Sequence, residues 1–240
     1  MSAPEHIVIA IDGPAASGKS SVARALAKRL GFNYVNTGAM YRAITWFIVS
    51  AGVPVPDTGR VHQLLHFADI ECGLADGESN IFIDGIDPAP YLVSEEVNAN
   101  VSAVASIAEV RRLLVAKQRV YATAHDVVME GRDIGSVVFP DTEYKFYIDA
   151  SAEVRALRRL RQGLQDSITT RDKVDSTRRN SPLTIAEDAH VIDSSNLTIE
   201  GVVGEIIGLK AAGAPGRLAA WCSARNWRTR KAASLTNPHS

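Results

Sequence analysis

The stretch Gly13-Pro14-Ala15-Ala16-Ser17-Gly18-Lys19-Ser20 constrains this chain more than any other feature. It fits the spacing G-x-x-x-x-G-K-[ST], and it has the flanks that give the spacing meaning. Before it, Ile7-Val8-Ile9-Ala10-Ile11 is a short apolar run that stops at Asp12-Gly13-Pro14, as a strand buried on both faces would. After it, Val22, Ala23, Leu26, Ala27 and Leu30 recur at helical spacing, Arg24, Lys28 and Arg29 take the other face, and Gly31 is a natural stop. Strand, glycine-rich loop and helix in this order turn successive backbone N–H groups and the positive end of a helix toward one anion. Gly13 and Gly18 permit close approach, Lys19 supplies a mobile cation, and the Ser20 hydroxyl is placed to reach a Mg2+ ion that accompanies a nucleoside triphosphate.

Further strand and helix signals alternate along the chain. The periodicity predicts helices over about 39–50, over 108–124 with Val110, Leu113, Leu114, Lys117 and Val120 repeating, and over 152–161 with Ser151 as cap. Val127-Val128-Met129, Lys145-Phe146-Tyr147-Ile148 and Val191-Ile192-Asp193 read as strands, and a last helix is expected over about 198–210. Residues 57–100 change character: Ile81-Phe82-Ile83-Asp84-Gly85 reads as one arm of a small β unit among turn-rich neighbours. The expected fold is α/β, three-layered, with a mostly parallel sheet covered on both faces.

Composition narrows the function classes. With 46% hydrophobic and 22% charged residues the 240-residue chain is neither disordered nor fibrous, and its length fits one core with an insertion. The apolar stretch Ala43–Val49 is too short to span a bilayer and Met1–Ile11 has no export-signal pattern, so no membrane is expected and the cytoplasm is the expected address. Cys72 and Cys222 are too few for a disulfide framework or a metal site and are expected as reduced thiols. Residues 206–240 carry six cations and no acid, leaving −7 for the remainder of a chain of net charge −1. Those cations are interrupted by Ala, Gly, Ser and Trp, so the tail is read as a flexible solvated end with no obligatory nucleic-acid partner.

Several stretches together carry a resemblance. Asn36-Thr37-Gly38-Ala39-Met40-Tyr41-Arg42-Ala43 follows the first helix. Ser102-Ala103-Val104-Ala105 precedes Val110-Arg111. Then come Met129-Glu130-Gly131-Arg132-Asp133-Ile134-Gly135-Ser136-Val137-Val138-Phe139-Pro140, and Arg171-Asp172, Asp175, Arg178 and Ser181-Pro182-Leu183, with Asp188-Ala189 and Ile192-Asp193 beyond. In this order, over about residues 6–208, they resemble the bacterial cytidylate kinases, P-loop nucleoside monophosphate kinases. Taken singly each has a plainer reading: Ser102 as a helix cap, Arg111 as a solvated helix residue, Arg132-Asp133 as a structural ion pair, Asp175 and Arg178 as an i, i+3 pair.

The resemblance implies ATP-dependent phosphorylation of CMP and dCMP, with Mg2+ accompanying ATP. ATP would be held by Gly13, Pro14, Ala15, Ala16, Ser17, Gly18, Lys19, Ser20 and Ser21, with Ser20 on the metal. The acceptor would meet Thr37, Arg42, Ser102, Arg111, Asp133, Arg171, Asp175 and Arg178, and Lys19, Arg132 and Arg171 would assist transfer. Asp133 is the candidate acceptor for the cytosine amino group, beside Ser102 and Arg111. The implied organisation is a core of 1–56 and 101–211, an insert of the monophosphate-binding region over 57–100, a short lid over 160–170 and a basic tail over 212–240, acting as a monomer. Three features depart from the family pattern: Ser136 stands where threonine is usual, the segment between Arg159 and Arg171 is short, and the tail is additional. The loop alone leaves open another acceptor, such as UMP, shikimate or dephospho-coenzyme A, or a nucleotide-binding module that is no kinase. No Asn-Lys-x-Asp stretch for guanine reading is present.

Overall fold

The computed structural model describes residues 6–161, 168–177 and 182–213. Its spine is the apolar run before the glycine-rich loop, which forms β1 (Val8–Asp12), buried along its whole length. Alternate residues of this run serve opposite layers: Val8 and Ala10 join one apolar cluster, Ile7, Ile9 and Ile11 the other. That division explains why the run is continuously apolar rather than alternating. β1 lies between β5 (Val127–Gly131) and β6 (Tyr144–Asp149), parallel to both. With β2 (Asn33–Asn36), β3 (Ile70–Ala75), β4 (Glu78–Ile83) and β7 (His190–Asp193), they form a seven-stranded sheet in the order β3-β4-β2-β5-β1-β6-β7. Every pairing is parallel except β3 with β4.

One face of the sheet is covered by α1 (Lys19–Leu30) and α8 (Ile199–Gly213), whose Val22, Leu26, Val203 and Ile206 pack on Ile9, Ile11 and Phe146. The other carries α2 (Thr37–Ser50), α4 (Glu95–Val104) and α5 (Ala108–Ala124). The α/β, three-layer expectation is met. The helix over 108–124 has the predicted bounds, but its buried stripe is Val110, Arg111, Leu114, Gln118 and Tyr121, while Val120 is 64% exposed. Apolarity misassigned the face: positions 110, 114, 118 and 121 keep the helical period, and Val120 lies a residue off it.

Residues 57–100 fold as α3 (Thr58–Phe67), the β3–β4 hairpin and a single 3-10 turn at Ala89–Tyr91, followed by the start of α4. The hairpin joins the sheet at its edge, Tyr34 of β2 pairing with Glu78 of β4. The predicted arm at 81–85 is β4, and its partner β3 had no clear sequence signal because Glu71-Cys72-Gly73 breaks the alternation. α6 (Ala152–Arg161) begins as anticipated, Val154 N–H donating to Ser151 Oγ at 3.3 Å. The short lid expected over 160–170 and the tail over 212–240 lie largely outside the described residues, as does Cys222; Cys72 is a free thiol whose pKa is raised by burial. No helix among the described residues is long and apolar enough to cross a membrane.

Candidate functional site

The carboxyl ends of parallel strands are where an α/β sheet opens a crevice. Here the residues after β1 and at the end of β5 meet α2, α4, α5, α6 and α8 around a cavity of about 670 Å³.

One side of it is the glycine-rich loop. Gly13 has φ +153°, and a Cβ there would stand 2.1 Å from the Ile148 carbonyl oxygen, so this position requires glycine. Ala16 is held at φ 59° and Gly18 at φ 90°, a strained path that brings the chain into the first turn of α1. No side chain caps that turn, which leaves its end to an anion. Lys19 is buried beneath the loop, donating to Pro14 O at 3.2 Å with its ammonium 3.9 Å from Glu130 Oε2. Ser20 Oγ donates to Glu130 Oε1 at 2.9 Å, and Tyr34 OH reaches the same oxygen at 3.3 Å. Burial, and then the adjoining Glu130 charge, raise the Tyr34 pKa, keeping it a donor.

The loop is braced from behind by α6. Arg158 donates to Ser17 O at 3.0 Å and to Ser194 O at 2.8 Å, and Ser194 Oγ also donates to Ser17 O at 2.8 Å. Arg155 reaches Ala15 O at 3.3 Å and pairs with Asp172 of α7 (Ile168–Thr177). Asp172 Oδ1 in turn accepts from Ala15 N–H at 3.4 Å. These guanidinium groups hold the Ala15 and Ser17 carbonyls, which fixes the path of the loop.

Across the cavity lie the residues of the second set. Asn36 caps α2, accepting from Ala39 N–H at 3.0 Å, and Thr37 Oγ1 donates to Glu130 O at 2.7 Å. This couples the first turn of α2 to the end of β5. Arg42, a turn further on, donates at 2.8 Å to both Leu92 O and Asn98 Oδ1. Ser102 lies near the end of α4 rather than at a cap and lines the cavity. Arg111 is buried, not solvated: it pairs with Asp133, donates to Ala105 O at 3.2 Å, and lies 5.5 Å from the Tyr41 ring centroid. Arg132, adjacent to Asp133 in sequence, pairs instead with Asp175, Nε to Oδ2 at 3.0 Å. The plainer readings of Arg111 as solvated and of Arg132-Asp133 as a mutual pair therefore do not hold. Arg171 belongs to α7 by its backbone with its side chain outside the described atoms, and Arg178 lies outside the described residues.

The structure thus brings Ala15–Ser21, Thr37, Arg42, Ser102, Arg111, Arg132, Asp133 and Asp175 around one cavity. Sequence reasoning gave no role to Glu130, Asp12, Arg155, Arg158 or Ser194. Glu130 lies within the Met129–Pro140 stretch and near the end of β5, which is a usable signal; the others become visible only through contacts between distant segments. Chemically, one side offers amides and an ammonium group to an anion, and the other offers guanidinium groups and buried carboxylates to a polar ligand that also bears negative charge.

The cytidylate kinase family model matches residues 9–211. The cytidylate kinase of Caldanaerobacter subterraneus subsp. tengcongensis is 44% identical over 211 residues, covering 83% of this chain and 92% of that protein. That of Clostridioides difficile is 40% identical over 213 residues, covering 84% and 97% respectively. A glycine-rich loop facing an arginine-lined recess, matched by similarity along most of the chain, establishes that this chain belongs to the cytidylate kinase family.

Proposed function

We propose that this chain transfers the γ-phosphoryl group of MgATP directly to CMP, giving ADP and CDP, and that it accepts dCMP as well. The observation that carries this reading is the single cavity with the glycine-rich loop on one side and Arg42, Arg111 and Asp133 on the other. Its two sides suit two anionic ligands held end to end.

A phosphate oxygen of CMP is already a nucleophile, so no general base is required. It forms a bond to the γ-phosphorus as the bond from that phosphorus to the β,γ-bridging oxygen breaks, and the electron pair leaves with ADP. The work left to the protein is alignment and neutralisation of charge. The loop amides and Lys19 hold the triphosphate; Lys19, Arg132 and Arg171 meet the charge on the transferring group. Arg42 holds the CMP phosphate with Thr37 beside it. Asp133 accepts from the cytosine amino group, flanked by Ser102 and Arg111, while Asp175, Arg171 and Arg178 serve the sugar and phosphate. A base without that amino group leaves a buried acceptor unmatched, a penalty of roughly 1–3 kcal/mol.

The metal is read as Mg2+. The Ser20 hydroxyl and the Glu130 carboxylate, 2.9 Å apart, are hard oxygen donors beside the loop and suit a largely hydrated divalent cation. Ser20 would bind it and Glu130 would hold its water; when bound, it supplies neutralisation of the phosphate oxygens. Residues 57–100 and the short lid at 160–170 close on the core of 1–56 and 101–211 once both nucleotides are present, which excludes water. The support is that Leu92 O, within 57–100, holds Arg42. The enzyme is read as a cytoplasmic monomer, and the tail over 212–240 as outside the reaction.

The test is ADP release in a coupled assay with CMP, dCMP, UMP, AMP and shikimate in turn. CMP and dCMP are expected to be the fast acceptors. ATP binding without phosphorylation of any pyrimidine nucleotide would overturn the proposal.

A further inference from the structure

Asp12 has no part in the transfer just described, yet it is a buried carboxylate at the head of the site. It ends the central strand β1 and directly precedes Gly13. Its two oxygens are both committed: Oδ1 accepts from Ile134 N–H and Oδ2 from Gly135 N–H, each at 2.8 Å. These are the two amides that follow Asp133, at the start of a π-turn over Ile134–Val138. The N–H of Ile134 shares a peptide plane with the carbonyl of Asp133, so that bond fixes one of the two planes flanking the Asp133 Cα, and the bond from Gly135 fixes the next plane along. The turn is confined elsewhere too. Arg119 holds its last carbonyls, at 3.0 Å to Val138 O and 3.1 Å to Val137 O, and a Cβ on Gly135 would come within 3.1 Å of Lys145 Cγ.

We infer that Asp12 is a positioning residue, whose carboxylate sets Asp133 against Arg111 for discrimination of the acceptor base. The inference rests on the reading of Asp133 as the group that meets the cytosine amino group. The mechanism is geometric: Asp12 acts through the backbone, Asp133 carries the consequence, and the phosphate-binding residues need not move.

The charge state provides an independent handle. Burial pushes the Asp12 pKa up to about 7, against the lowering by its two amide partners; Asp133 also raises it and Arg132 lowers it. Tyr147 of β6 also feels its charge, and its own pKa is pushed up to about 12, chiefly by burial. A proton on Asp12 turns one acceptor into a donor facing an N–H, so one of the two bonds is lost and the turn is loosened.

The experiment is the ratio of kcat/KM for CMP to that for UMP, measured from pH 6 to 8 on the full chain and on Asp12→Asn. Because both acceptors carry the same phosphate, its own ionisation cancels in the ratio. In wild type the ratio is expected to fall as pH drops through about 7. In Asp12→Asn it is expected to be lower by about tenfold and flat with pH, while KM for ATP stays within about twofold. A wild-type ratio independent of pH, or one near unity, overturns the inference, as does a variant that retains the wild-type profile or loses ATP binding in parallel. Should Asp12→Asn fail to fold, the wild-type profile alone decides. Failure of the functional reading itself looks different: wild type would then phosphorylate neither nucleotide.

Discussion

Replacing Arg111 by Met tests the part of the site that the sequence least prepared us for. Arg111 and Asp133 are each only 6% exposed at the side chain, and Arg111 also donates to Ala105 O. A methionine matches the length of the stem but removes the guanidinium from a carboxylate that stays buried. Breaking one side of such a buried pair costs about 3–5 kcal/mol. For a chain of this size that lowers the melting temperature by roughly 6–20 °C. The second half of the experiment is Arg111→Met/Asp133→Leu, which leaves no charge behind. Because apolar replacement of both partners is often close to neutral, the double variant should recover at least about half of the lost stability. Urea unfolding of wild type, both single variants and the double variant closes the cycle. Activity should part company with stability: both Arg111 variants lose CMP phosphorylation by about 100-fold or more, even where the fold is restored. A single variant within about 1 kcal/mol of wild type, or a double variant less stable than Arg111→Met, refutes the account of this pair as buried and interdependent.

Lys19→Met is expected to lower kcat by at least about 100-fold with an unchanged circular dichroism spectrum, since the ammonium acts on the phosphates and is not part of an apolar cluster; near-normal turnover contradicts its role. Gly13→Ala places a methyl against the Ile148 carbonyl at a positive φ and should destabilise by more than about 3 kcal/mol in urea unfolding, whereas Gly52→Ala, at φ +65° with nothing within 4 Å, should cost only about 1 kcal/mol. Asp12 makes a prediction about stability against pH: its carboxyl rises from 3.8 unfolded to about 7 folded, chiefly through burial, so between those values the folded chain binds more protons. Its stabilising contribution is therefore whole below about pH 4 and lost by about pH 7, on the order of 4 kcal/mol, and the wild-type curve minus the Asp12→Asn curve should show that decline; a flat difference refutes it.

Much of this molecule was legible in the residues because its cause is local. The spacing of Gly13, Gly18, Lys19 and Ser20 between an apolar run and an amphipathic helix dictates a loop path, and the helix bounds at 108–124 follow from periodicity alone. The hairpin partner β3 was not legible, since a strand with Gly73 and Glu71 is made a strand by its pairing with β4. Helix faces were partly legible, and Val120 shows the limit: apolarity marks a candidate, but packing chooses the face. In the site, the order of the motifs named the residues that would gather, while their partners stayed open.

Those partners were decided by tertiary structure. Arg132 sits beside Asp133 in the chain, and sequence proximity made them a natural pair; the fold sends Arg132 to Asp175 and gives Asp133 to Arg111. An arginine takes whichever carboxylate the packed elements bring within about 4 Å, and that choice is invisible in a string where several acids are equally available. The same holds for Asp12, whose amide partners lie 122 and 123 residues away. Residue spacing along the chain determined where an anion would be held; only the meeting of β1, β5, α5 and α7 determined which buried charges neutralise one another around it.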